Sequence, residues 1–288
     1  MPAETQATST IDSLLPQEMA RKAEVIGTRK AEAHGLTTFS LAVLAGAFIA
    51  VGALFSTTVA AGTSAEWPYG AARLLTGFAF SLGLILVVVG GAELFTGNNL
   101  IVMAWASRKI GARQLLRNWV IVYLGNFAGA VATAVLVTLS RQYTFGAGAV
   151  GRTALAIAAS KVDLEFTQAF ALGVLCNALV CLAVWLSFSA RTTLDRIVAV
   201  VPPITAFVAA GFEHSIANMY FLPVALLIHA SDPAFTAASG VDVSRLTWES
   251  FLTRNLLPVT LGNLVGGSLL VAAVYWFVYL RPTTGARR

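Results

Sequence analysis

Gly211-Phe212-Glu213-His214-Ser215-Ile216-Ala217-Asn218-Met219 sets a carboxylate and an imidazole inside a run that is otherwise apolar from about Ile197 to Ile228. A charged side chain at bilayer depth costs roughly 2.5 to 3.5 kcal/mol on insertion scales, so such residues face a protein interior or a wet cavity. Gly211 at the front of the interruption, with Pro202, Pro203 and Pro223 around it, reads as a helix broken inside the membrane. The stretch is therefore expected at the centre of a transport pathway. His214 carries the most interest there, because imidazole alone titrates near neutrality, at about 6.5 when unperturbed.

The rest of the chain supports a membrane setting. Hydrophobic residues make up 57% and charged residues 11% of the 288, and mean hydropathy is +0.75. An ordinary soluble domain carries about 25% charged residues, so this is a polytopic membrane protein. Cys176 and Cys181 stand five apart in one apolar helix, off a common face, which argues against a disulfide framework or a zinc site. Neither a Ser/His/Asp set, a metal-ligand cluster nor a nucleotide-binding loop stands out. The reading is of a non-enzyme without cofactor or metal.

Working outward, Pro2 to Ser13 lacks apolar periodicity and reads as disordered. From Leu14 to about Ala33, Leu14, Leu15, Met19, Ala23 and Ile26 recur at helical spacing between basic residues, the pattern of an amphipathic helix on the cytoplasmic face. Residues 1–35 thus form a cytoplasmic region, 36–281 a transmembrane domain and 282–288 a cytoplasmic tail. The first span, Leu36 to about Gly62, is roughly 40 Å long as a helix, enough to cross with tilt. The second apolar stretch, Leu74 to Ala106, is too long for one simple span. It is interrupted at Gly90-Gly91-Ala92-Glu93-Leu94-Phe95-Thr96-Gly97-Asn98-Asn99, where glycines again accompany a carboxylate. Further spans are expected at Trp119 to Leu139, Phe166 to Phe188 and Leu256 to Leu280, with a Gly- and Ala-rich loop from Ser140 to Asp163 separating two halves.

Charge counting tests the topology. With both termini cytoplasmic, thirteen Lys and Arg residues fall inside against six outside: Arg73, Arg141, Arg152, Lys161, Arg245 and Arg254. The positive-inside rule supports that orientation, in a cell (inner) membrane crossed several times. The net charge of +5 is then a topological signal, and no nucleic-acid partner is implied. Each half holds one broken span bearing a Glu between two plain ones. Three crossings separate them, so the halves are inverted repeats. Paired broken helices point to a substrate site near the midplane, where half-helix N-termini can face an anion.

Gly91-Ala92-Glu93-Leu94-Phe95-Thr96-Gly97-Asn98, the run from Gly173 to Ala183, and Phe212-Glu213-His214-Ser215-Ile216-Ala217-Asn218-Met219 resemble the signature motifs and the broken fifth helix of the formate/nitrite transporter family. The resemblance runs from Leu14 to Arg281. It implies an all-α, aquaporin-like six-helix protomer with broken second and fifth helices. It also implies a homopentamer in the lipid bilayer with one pore per protomer, passing small monovalent anions, formate foremost, with protons. Residue by residue, it implies that Thr96 and His214 face one another across the pore. Phe80, Leu84, Leu94, Phe95 and Phe207 match its apolar constrictions, Lys161 and Asn177 an outer polar cluster, and Asn263 a pore asparagine. Gly97-Asn98-Asn99 departs from the enteric formate members, which carry small Ser and Thr residues there.

Plainer readings stand beside these. Asn177 and Asn263 suit interhelical hydrogen bonding. Glu93 and Glu213, with Asn98 and Asn218, suit a structural role at the helix breaks, the carboxylates accepting orphan backbone N–H groups. Nitrite or hydrosulfide transport by the same fold is one alternative, and a neutral-solute channel of aquaporin type is another. The latter lacks its Asn-Pro-Ala pair, since the breaks read Thr96-Gly97-Asn98 and Ile216-Ala217-Asn218.

Overall fold

A computed structural model describes residues 13–61, 63 and 67–282 of the chain. The reading of Pro2 to Asp12 as disordered, and that of the tail beyond Pro282 as cytoplasmic, lie outside the described residues. The helices are α1 (Pro16–Glu32), α2 (Gly35–Ala61), α3 (Tyr69–Gly90), α4 (Val102–Ala106), α5 (Ala112–Leu139), α6 (Ala149–Val162), α7 (Phe166–Ser189), α8 (Thr193–Ala209), α9 (Ser215–Ser231) and α10 (Pro233–Ser239). A last long helix, α11, covers Trp248–Tyr279. No strand occurs among the described residues.

Helices α2, α3, α5, α7 and α11 are each long and apolar enough to span a bilayer. The remaining crossing is assembled from α8 and α9, which meet at residues 210–214. Helix α3 ends in the same way, at a loop leading into a 3-10 turn (Gly97–Ile101) and then α4. Both breaks turn on a glycine in the left-handed region, Gly91 at φ 75° and Gly211 at φ 77°, a conformation that costs a β-carbon-bearing residue roughly 1–2 kcal/mol. The prolines do not make the break. Pro202 and Pro203 lie inside α8 and Pro223 inside α9. The left-handed glycine interrupts the helix instead.

The two halves share one plan. Helix α2 packs on α5 and α7 on α11 through close backbone approach. A β-carbon on Gly129 would run into the Val43 carbonyl, and one on Gly266 into the Val174 carbonyl. Small residues let membrane helices approach in this way, where lipid tails leave little hydrophobic drive for association. The expected plain sixth span is a single helix with two π-helical stretches, Phe251–Leu256 and Val265–Ala273. Such widened turns recur at functional sites.

Two expectations need correction. The stretch from Ser140 to Asp163 is not simply a loop, because α6 occupies most of it. Its run of Ala, Leu and Ile favours helix once Gly146 and Gly148, both at positive φ, have turned the chain. The apolar face of α1 meets protein rather than lipid: Ala23, Gly27 and Ala31 are buried, and Gly27 sits against Ile101 and Ala104. Helix α1 also contributes Met19 and Ala20 to a core shared with Leu100, Ile101 and Met103.

Candidate functional site

The two breaks meet at the centre of the protomer. His214 is the N-cap of α9, its Nδ1 accepting the Ala217 backbone N–H at 3.1 Å. With Nδ1 used as an acceptor, the neutral ring carries its proton on Nε2. Nε2 lies 2.9 Å from Thr96 Oγ1, so it donates to the hydroxyl and leaves the Thr96 O–H free to donate elsewhere. Thr96 and His214 are both buried. The Phe207 ring lies 5.8 Å from the imidazole and meets Phe80 edge-on at 5.6 Å.

A vestibule approaches this contact from either side. One, of about 290 Å³, is lined by Lys161, Glu213, His214, Asn218, Phe80 and Phe207. The other, of about 250 Å³, is lined by Lys30, Glu93, Asn98, Leu84, Leu94 and Arg196. Phe80 and Phe207 line the first vestibule beside His214, and Leu84 and Leu94 line the second. At the rim of the second vestibule, Lys22 donates to the Phe188 carbonyl at 2.8 Å. Burial, then the nearby Arg196 and Arg191, hold its ammonium below the ordinary lysine range. A cluster of like charges of this kind draws anions.

The polar frames of the two breaks correspond residue for residue and differ in two bonds: Lys30 also donates to Asn98 Oδ1 at 2.8 Å, and Asn255 also donates to Glu213 at 3.1 Å. Lys30 pairs with Glu93 at 3.1 Å, and Lys161 with Glu213 at 2.6 Å. Asn98 Nδ2 donates to Glu93 and to Asn118; Asn218 Nδ2 donates to Glu213 and to Asn255. Asn118 reaches the Lys30 carbonyl and Asn255 the Lys161 carbonyl, each at 3.1 Å. Asn126 accepts the Phe95 N–H and donates to the Ala42 and Glu93 carbonyls. Asn263 accepts the Ser215 N–H and donates to the Gly173 and Glu213 carbonyls.

This frame revises the expected roles. The Phe95 and Ser215 N–H groups are taken by asparagine amides and the Ala217 N–H by His214, not by Glu93 and Glu213; the carboxylates instead accept from lysine and asparagine side chains. Asn177 is not beside Lys161. Its Nδ2 reaches the Asn99 side chain at 3.0 Å, the Asn263 carbonyl at 2.6 Å and, more distantly, the Thr96 carbonyl, so it fixes the Thr96 loop. Asn263 is spent on backbone groups. Phe95 lines neither vestibule. It lies edge-on to Tyr123 at 4.9 Å and to Trp119 at 6.3 Å, facing a crevice between α5 and α11. Cys181 Sγ lies 3.3 Å from the Thr96 carbonyl, and both cysteines are free and buried.

Sequence reasoning passes over Lys30, Asn118, Asn126 and Asn255. A signal is present, since each of α5 and α11 carries two asparagines eight residues apart in an apolar helix. Among the described residues no group of His, Cys, Asp and Glu could hold a metal ion.

Paired broken helices, apolar closures and a basic residue on each approach define a multi-pass membrane transport protein. The sequence profile of the formate/nitrite transporter family matches residues 17–277. The chain belongs to that family. It is 46% identical over 280 residues to the formate channel FocA of Escherichia coli K12, covering 96% of this chain and 98% of that one. FocA of Haemophilus influenzae is 41% identical over 275 residues, covering 94% and 96%. A solved pentameric formate channel with formate bound superposes with a TM-score of 0.80 at 45% identity, covering 86% of this chain and 98% of that one.

Proposed function

We propose that this protein conducts formate, together with a proton, through one pore in each protomer of a homopentamer. The observation that carries this reading is the buried Thr96–His214 contact, reached by one vestibule at His214 and approached by the other through Leu94 and Gly97. Each vestibule offers a lysine to an arriving anion, and each lysine is held by a glutamate. Taking a bare anion through the apolar zone would be prohibitive. The Thr96 O–H can donate to the carboxylate while His214, having taken a proton at Nδ1 from the aqueous vestibule in place of the Ala217 N–H, gives its Nε2 proton to the anion and returns to the neutral ring, so that a neutral acid crosses the Phe80–Phe207 or the Leu84–Leu94 closure. The Asn218 side-chain Oδ1, buried without a partner among the described residues, belongs to a residue lining the Lys161 vestibule and can accept from a protonated acid. The formate named in the relatives and the pentamer named in the solved structure support the choice of anion and assembly. The charge asymmetry supports an inner-membrane protein with both termini cytoplasmic, which places Lys161 outside and Lys30 inside.

The test measures formate and proton flux together in liposomes between pH 5 and 8, a range bracketing the ordinary imidazole value of about 6.5. Wild-type protein carries both. His214→Asn, which keeps hydrogen bonding and cannot titrate, leaves at most formate flux that no longer responds to pH. Wild-type coupling in that variant overturns the mechanism. Nitrite and hydrosulfide, tested as competitors, rank the anions.

A further inference from the structure

The inverted repeat places its two contacts between halves differently. On one side of the protomer α3 and α8 pack directly, with the Ser81 and Thr205 hydroxyls 3.2 Å apart. On the opposite side the matching pair, α5 and α11, stays parted by a crevice of about 480 Å³ lined by Leu116, Trp119, Val120, Leu124, Leu252 and Leu257, among others. Its floor holds Phe95 and the hydrogen-bonded pair Tyr123–Thr260, 2.9 Å apart. Both walls are membrane-spanning helices, so the crevice opens at bilayer depth.

We propose that this crevice seats one acyl chain of an acidic phospholipid whose phosphate rests on Arg113. Three observations select that occupant. The edges are large aliphatic side chains, exposed at Leu116, Val120, Leu124, Leu252 and Leu257. Helices that dock in membranes do so through small residues, as α2 on α5 and α7 on α11 do here, so a second copy finds no close-approach surface. The floor's two hydroxyls satisfy each other and ask nothing polar of the occupant. Finally, Arg113, Leu116, Val120 and Leu124 follow the i, i+3, i+7, i+11 spacing of one helix face. Arg113 is exposed at the start of that stripe and has no hydrogen-bond or ion-pair partner among the described residues.

The occupant touches the back of the pore loop. Trp119 Nε1 donates to the Asn98 carbonyl at 3.1 Å, and Phe95, on the crevice floor, directly precedes Thr96. A seated chain therefore braces the loop that presents the Thr96 hydroxyl to His214.

The experiment reconstitutes the full chain in phosphatidylcholine vesicles containing phosphatidylglycerol brominated in mid-chain, and takes the Trp119 emission as the difference from Trp119→Phe. Trp119 is expected to be quenched at a low mole fraction of the brominated phosphatidylglycerol, and less by brominated phosphatidylcholine at equal fraction. Arg113→Gln should weaken the acidic preference about five-fold, the equivalent of one basic contact worth about 1 kcal/mol, and Val120→Phe, which fills the crevice, should lower quenching with either lipid. Equal quenching by both headgroups, quenching unchanged in Val120→Phe, or crosslinking between copies through Leu124→Cys overturns the proposal. None of these readouts depends on which anion is carried.

Discussion

The two helix breaks are built on one polar frame and differ at the positions that face each other. Lys30, Glu93, Asn98, Asn118 and Asn126 recur as Lys161, Glu213, Asn218, Asn255 and Asn263, with most partners shared; Asn98 Oδ1 accepts from Lys30 whereas Asn218 Oδ1 has no partner among the described residues. Within that frame Leu94 corresponds to His214, and Thr96 to Ile216. The difference teaches that the frame is scaffold. Holding a broken helix in a membrane takes a satisfied lysine, glutamate and asparagines, and the scaffold tolerates either Leu or His at the next position. The chemistry proposed above uses the residues that break the symmetry.

The sharpest way to break that comparison is to restore the symmetry. His214→Leu copies the Leu94 break into the second half, and proton-coupled formate flux in liposomes should fall by about two orders of magnitude or more, the usual scale for a positioned proton-transfer group. The protein should still assemble. Coupled flux within ten-fold of wild type would show that the asymmetry is not where the chemistry lies.

A second comparison sets Glu213→Gln against Glu93→Gln. Removing one partner of a buried ion pair costs about 3–5 kcal/mol. The Lys161–Glu213 side chains are 13% and 5% exposed, against 28% and 12% for Lys30–Glu93, so solvent compensates more of the loss at the second pair. Thermal unfolding in detergent should show the larger destabilisation for Glu213→Gln.

Asn126→Ala and Asn263→Ala each strand one backbone N–H and two carbonyls at a break. Both should destabilise by about 2–3 kcal/mol and agree with each other closely. A wide gap between them in the same unfolding assay would mean that the two frames carry unequal loads.

The smallest expected effect lies outside the repeat. Asp232 caps α10 by accepting the Phe235 N–H and also accepts from Tyr143. Chiefly that backbone hydrogen bond, and then the Tyr143 hydroxyl, hold its carboxyl below the ordinary range. A lowered folded value means that the contribution is present above the unfolded pKa of about 3.9 and lost as pH falls through the folded value. Amide exchange in α10 should quicken across that acid window in wild type. Judged as protection relative to the intrinsic rate at each pH, Asp232→Asn should be less protected than wild type above that window and should not change across it.

Much of this architecture is legible in the amino-acid sequence. Glu93, Thr96, Glu213 and His214 stand out because polar groups in long apolar runs are costly and must be answered by something. The answers are harder to read. Lys30 looks like one of several basic residues on an amphipathic helix, and Lys161 like a loop charge, because nothing local says that each reaches a glutamate dozens of residues away. The resemblance groups Asn177 with Lys161, whereas its amide lies among Asn99, the Asn263 carbonyl and the Thr96 carbonyl. The three prolines suggest a break that a left-handed glycine makes instead. The resemblance puts Phe95 among the constrictions, yet a loop without helical periodicity turns successive side chains to unrelated surroundings, and Phe95 faces the crevice between α5 and α11.

An inverted duplication also constrains how the chain enters its membrane. Lys30 and Lys161 occupy equivalent places in halves of opposite orientation, so one of them must be translocated during biogenesis whichever way the protein inserts. The repeat itself is thus neutral as an address. Orientation has to be written in segments that the halves do not share, and the connection after α4, with Arg108 and Lys109, differs in this way from the one after α9, which carries Asp232, Asp242 and Arg245. Because basic residues close to the ends of spans decide which side is retained, exchanging these two connectors would set the insertion machinery against the fold.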